Sequence, residues 1–228
     1  MANMIKTTED FDGLLEMFRA EIEGLTDAQL DWDDSSEEWS EWSVRRQVSH
    51  VSLVYLYWFP RVWGKILWPD DPPADPVDFR KAGVYDRRLD EEKYWKMADI
   101  WEKFEEGFGY MKKAIEGKSE EEMNSLSVTR AFGPDLQMGN TDLKVYAYWV
   151  YVSSFHPDGI TQDIEDETSF TFTLTAMVRT LYWEALTHLR TIQRLKAAQG
   201  LAPAVEVPRQ GYLLDPFFWG PGDEPRMI

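Results

Sequence analysis

The chain has 228 residues, no cysteine, and 41 Asp and Glu against 24 Lys and Arg, a formal net charge of −17. So acidic a protein has no electrostatic means of seeking phosphate backbones or anionic membranes, and neither nucleic acid nor membrane is an expected partner. The lack of cysteine removes disulfides, thiolate-held zinc, iron–sulfur clusters and thiol nucleophiles, and fits a cytoplasmic location.

Hydrophobic residues make up 43% and aromatics 14%, including 11 Trp, enough for one sizeable globular domain over 1–228. A first helix is predicted with Thr7 or Thr8 as cap and Phe11, Leu14, Phe18, Ile22 and Leu25 on one face. The acidic loop TDAQLDWDDSSEEW follows. A second helix is predicted from Ser43 as N-cap, with Val44, Val48, Val51, Tyr55, Trp58 and Val62 on its apolar side. Pro60 lies inside that pattern and is expected to kink or locally loosen it. WPDDPPADPVDF reads as a surface connection. Asp90 is the predicted cap of a third helix, in which Tyr94, Met97, Trp101, Phe104, Phe108, Met111 and Ile115 alternate threes and fours as far as Gly117.

Between 129 and 174 the period changes. Turn signals (FGPD, MGN, HPDG) separate the runs LKVYAYWVYVSSF and TSFTFTL, which predict a small antiparallel β element. A last helix is predicted over about 176–199, closed by Gly200. The irregular tail, 201–228, carries Tyr212, Leu213, Phe217, Phe218 and Trp219 and is expected to pack back on the body. The whole predicts a mainly α fold: an antiparallel four-helix bundle with a small antiparallel β insertion, 125–174, before the last helix. The interior of such a bundle is the usual place for a site built from facing helices. No Gly-rich phosphate loop, HExxH or GxSxG occurs.

One stripe of the last helix breaks its own pattern. Met177, Leu181, Glu184, His188, Ile192 and Leu195 fall on one face, so a carboxylate and an imidazole sit one turn apart among core residues. Side chains four apart reach a common point. A carboxylate there must be neutralised by a bound cation, by a salt bridge to Arg46, Arg179 or Arg190, or by protonation, unless the stripe turns it towards water. Of the other histidines, His50 lies mid-helix and by itself reads as a hydrogen-bonded core or boundary residue. His156, in the turn FHPDG, reads as a surface-loop histidine.

The segment WSVRRQVSHV, 42–51, resembles the start of the second helix in the DinB-like superfamily: a tryptophan, a capping serine, Val-Arg, then a histidine. EALTHLRTIQRLKAAQG resembles that superfamily's final helix, in which a ligand, three residues, a histidine, an isoleucine and a closing glycine recur. Glu in the first of those positions is similar to the branch represented by the metal-binding domain of mycothiol-dependent maleylpyruvate isomerases. LLEMFRAEIEGLTDAQLDW is similar to the phrase that follows helix one in family members. The resemblance covers roughly the first seventy residues and the last helix, and helix three by topology alone. Residues 125–174 stand as an insertion, and the tail is too short to be the second domain of the full-length isomerase.

The resemblance implies a metal site of His50, Glu184 and His188. Two imidazoles and a carboxylate with a position left open form the ligand set of a catalytic zinc, and iron, nickel or manganese also suit it. It further implies a small-molecule substrate, a low-molecular-weight thiol as cosubstrate, a thiol transferase or isomerase reaction on an electrophilic metabolite, and a homodimer. The competing expectation is a non-catalytic metal-binding or stress-response module. Gln47, Tyr57 and Thr180, with Val54 and Leu181, lie one or two turns from the ligands and are the expected substrate-binding positions. Tyr146, Tyr148, Trp149 and Tyr151 are the expected lid.

Overall fold

The computed structural model describes residues 8–34, 42–73, 79, 87–138 and 142–215. The expected cap at Thr7, the end of the acidic loop, most of the Pro/Asp connection and the tail aromatics Phe217, Phe218 and Trp219 lie outside them. The chain is mostly helical with a small three-stranded antiparallel sheet. No helix among the described residues is long and apolar enough to cross a membrane.

Helix α1, Thr8–Ile22, buries Phe11, Leu14 and Phe18, the stripe its spacing demands. After Gly24, held at φ 75°, comes a single turn, α2, Asp27–Leu30. Thr26 and Gln29 close it with a reciprocal capping box. Helix α3, Val44–Leu56, buries Val44, Val48, Val51 and Tyr55. Ser43 has the extended backbone of a cap, but its hydroxyl makes no capping hydrogen bond and is buried without a partner. Pro60 has the effect expected of it: lacking an N–H and crowding the preceding turn, it sits in a π-helical stretch, Tyr57–Trp63, before α4, Gly64–Leu67.

Helix α5 runs Met97–Ile115, six residues later than Asp90 would set it. Asp90 is occupied by a turn of its own: its carboxylate accepts from the Glu92 N–H, and its carbonyl accepts from Lys93 and Tyr94. Phe104, Phe108 and Met111 are buried as the period requires. At Gly107 a Cβ would stand 2.9 Å from Tyr55 Cβ, so α3 and α5 approach through a glycine.

A short capped helix, α6, Glu120–Ser125, leads into the sheet. Strands β1, Ser127–Ala131, and β2, Ile160–Gln162, flank β3, Ser169–Thr173, with Val128 and Ile160 both opposite Phe172. The run LKVYAYWVYVSSF is not a strand. It forms helix α7, Val145–Ser153, which buries Val145, Trp149 and Val152 at helical spacing. A continuously apolar run fits either state, and here three-dimensional packing outweighs the β-propensity of its Val and Tyr residues.

Thr173 caps the long helix α8, Leu174–Ala198, its hydroxyl accepting from the Ala176 N–H. α8 packs against α1 and α3, and α3 lies along α5. Behind α8, the fully buried Glu21 forms an ion pair with Lys196 and accepts from Gln193 and from the N–H groups of Ala204 and Val205. One carboxylate thus joins α1, α8 and the chain beyond it. Tyr212 and Leu213, in a short 3-10 turn, Gly211–Leu214, are buried. Gly211 has φ 57°, and a Cβ there would fall 2.1 Å from the Trp183 ring.

Candidate metal centre and adjoining cavity

Packing of α3 on α8 brings together His50, Glu184 and His188, whose ligand atoms all lie within 4.8 Å of one another. His50 Nε2 is 3.2 Å and His188 Nε2 3.8 Å from Glu184 Oε1. Ligand atoms around a tetrahedral zinc with bonds of about 2.0–2.1 Å stand about 3.4 Å apart, so the cluster has the right scale.

The proton positions decide what the cluster is. The other nitrogen of His50, Nδ1, faces the carbonyl of Arg87 at 2.6 Å. A carbonyl only accepts, so Nδ1 carries the hydrogen and donates. Gln47 is oriented by the same reasoning: its amide nitrogen donates to the Trp42 carbonyl at 3.2 Å. Its Oε1 therefore faces His188 Nδ1 and accepts from it. With each Nδ1 donating, an imidazole in its neutral form turns a bare Nε2 lone pair towards the carboxylate oxygen. Three electron-rich atoms then converge with no proton between them. That arrangement is satisfied by a cation, with the backbone carbonyl and the amide as the outer partners that fix each ring.

Burial, with His188 close by, pushes the His50 imidazole down to about 4. Burial on its own would raise the Glu184 carboxyl, but the close approach of His188 and His50 holds it well below the usual carboxylate range. Neutral His50 and ionised Glu184 are the forms that bind metals. The Tyr148 hydroxyl donates to Glu184 Oε2 at 2.6 Å. Burial and the carboxylate's charge push that phenol up, so it stays a donor and leaves Oε1 to face the histidines. The Trp42 ring lies parallel to His188, with centroids 6.4 Å apart. Among the described residues Glu184 pairs with no arginine; Arg46, one of the candidates, is taken by Glu91.

A cavity of about 150 Å³ opens beside His50 and Glu184. Tyr57, Val54, Leu181, Tyr148 and Trp149 line it, together with Arg87, Arg130 and Phe132. Tyr146 and Tyr151 do not; the Tyr151 hydroxyl donates to Asp215 on the outside. Gln47 is buried behind His188 and positions it. Thr180 is off the cavity, fully buried, with its hydroxyl 3.1 Å from His156 Nε2. It flanks the helix on the side taken by the tail, while its neighbour Leu181 faces the cavity.

His156 is not a surface histidine. It is 3% exposed, stacks on Trp183 at 4.8 Å and lies 3.2 Å from the Tyr212 hydroxyl. The turn exists, but at Gly159 a Cβ would be 2.5 Å from Ala176 Cβ. The glycine lets the turn press onto α8 and carries the imidazole inwards. Sequence reasoning did not single out Arg87 or Arg130. Arg87 had no periodic signal, whereas Arg130 follows Val128 in β1 at the two-residue period that marks one face of a strand.

Compared with protein-family models, with curated proteins and with solved structures, the chain gives no match.

Proposed function

We propose that this protein is a metal-dependent enzyme on a DinB-like four-helix frame, in which His50, Glu184 and His188 hold a divalent cation, zinc first. Its reaction is a thiol transfer or isomerisation on a small electrophilic metabolite. The observation that carries the reading is the convergence of two Nε2 atoms on one carboxylate oxygen, with each ring's Nδ1 held from behind by a neutral oxygen. Three protein ligands from two helices leave coordination positions for water or substrate, the pattern of catalytic rather than closed structural sites. The chemistry such an ion supplies when bound is Lewis acidity, which lowers the pKa of a coordinated water or thiol or polarises a carbonyl.

The protein's own groups divide the remaining work. Gln47 and the Arg87 carbonyl hold the imidazoles in the ligating tautomer, and Tyr148 restrains Glu184. The aromatic walls of the cavity keep bulk water from the open side. A chain without cysteine must take any thiol from outside, and the cavity is where it would meet the second substrate.

The test is elemental analysis of purified protein with titration by zinc, nickel and iron(II), repeated on Glu184→Gln. About one equivalent in the wild type and a loss of tenfold or more in affinity for the variant is expected. No binding of any of these ions by the wild type sinks the site. Turnover of electrophilic acceptors with mycothiol or bacillithiol then separates an enzyme from a non-catalytic metal-binding module.

A further inference from the structure

The cavity holds positive charge that no carboxylate of the described residues neutralises. In this acidic chain, arginines and lysines find acids readily: Arg19, Arg45, Arg46, Arg88, Lys103 and Lys196 each reach one. Among the described residues Arg130 and Arg87 reach none, although both line the cavity. Arg130 donates from Nη2 to the Tyr57 hydroxyl at 2.6 Å, and its Nε is buried without a partner. The Arg87 guanidinium rests on the Trp42 ring at 4.6 Å, and its Nε is likewise buried without a partner. Glu184, the one acid lining the cavity among the described residues, is committed to Tyr148 and the imidazoles.

Both arginines are half-buried, and a buried guanidinium N–H left unmet costs free energy that an acceptor would recover. The planar fork of arginine suits a carboxylate, which it binds through two parallel hydrogen bonds. The remaining walls, among them Trp58, Phe132 and Trp149, are apolar and aromatic and suit a flat hydrocarbon body. Position also sets a length. Tyr57 follows His50 by seven residues, two helical turns or about 10 Å at the α-helical rise. The carboxylate anchor at Tyr57 and the ligand cluster at His50 are therefore offset by two turns along α3.

We propose that this cavity is a carboxylate-binding site for a small aryl or arylalkyl acid. The carboxylate sits on Arg130, braced by Tyr57; the ring lies among Trp58, Trp149 and Phe132; the far end points to His50, Glu184 and His188. That this acid is the substrate rests on the reading of the cluster as a metal centre. Its binding does not.

The test uses the full chain, metal-loaded and chelator-treated, with 3-phenylpropanoate and its neutral amide as probes, followed by tryptophan fluorescence and calorimetry. The acid should bind more tightly than the amide by about tenfold to a hundredfold, the worth of a charge-assisted hydrogen bond. Arg130→Met should erase that preference while leaving zinc stoichiometry and the circular dichroism spectrum unchanged, and Arg130→Lys should restore part of it. Equal binding of acid and amide by the wild type overturns the proposal, as does a preference that survives Arg130→Met or is lost only in Arg87→Met. Acid binding by a protein that takes up no metal would defeat the metal reading and leave this one standing. Metal uptake without acid preference would do the reverse.

Discussion

Replacing Gln47 by Leu removes the acceptor that fixes His188, without touching a ligand. Gln47 is 4% exposed, so water cannot readily replace its amide. The change leaves the His188 Nδ1–H and the Trp42 carbonyl without their present partners and frees the imidazole to rotate or to place its proton on Nε2. Loss of an outer partner of this kind costs about 10- to 100-fold in metal affinity, or about 1.4–2.7 kcal/mol. The upper half of that range is expected, because burial denies the ring a substitute acceptor. Competition for zinc against a chromophoric chelator measures it, and cobalt substitution reports whether the coordination geometry survives. Unfolding of the metal-free variant should show a separate loss of about 1–3 kcal/mol from the unmet polar groups. A zinc affinity within about threefold of wild type would show that the Gln47–His188 contact does not set the ligand, and the tautomer argument would fall with it.

Glu21→Gln should cost about 3–5 kcal/mol in urea unfolding, since it leaves Lys196 buried with its ion pair gone, and Glu21→Gln with Lys196→Met should recover part of the loss. Gly107→Ala places a methyl 2.9 Å from Tyr55 Cβ and should destabilise by about 1–3 kcal/mol; Gly109→Ala in the same helix meets nothing within 4 Å and should stabilise by about 0.5–1 kcal/mol. Thermal melts that move both variants the same way would contradict this account of the α3–α5 contact. Burial, with Arg179 nearby, pushes His156 down from 6.5 to about 4. A histidine lowered on folding contributes stability that is present above pH 6.5 and lost as pH falls towards 4, here about 3 kcal/mol. His156→Gln should therefore flatten the stability profile in that window, as urea unfolding at neutral pH and near pH 4 would reveal.

The helical stripes were legible because burial on one face leaves a period: Phe11–Leu14–Phe18 and Phe104–Phe108–Met111 are buried where the spacing puts them. Glu184 and His188 stood out for the same reason, as polar residues within an apolar stripe. Helix α7 was misread because its run has no polar face to supply a period, so local propensity decided wrongly. Asp90 shows the limit of capping rules, since a carboxylate can serve a turn as well as a helix. The burial of His156 depends on the close approach of two backbones at Gly159, a contact between distant segments that no local pattern encodes. Arg87 joins the site through its backbone carbonyl as much as its side chain, and carbonyls are invisible in a sequence.

The outer partners of the two imidazoles are a peptide oxygen and an amide oxygen, not carboxylates. A carboxylate in either place would share the histidine's proton and enrich the nitrogen as a donor; neutral oxygens orient the rings without doing so. A divalent ion seated here would thus be offset by the single charge of Glu184 and would keep a net charge of one. With Arg87 alongside, the open coordination position becomes one that selects for anions.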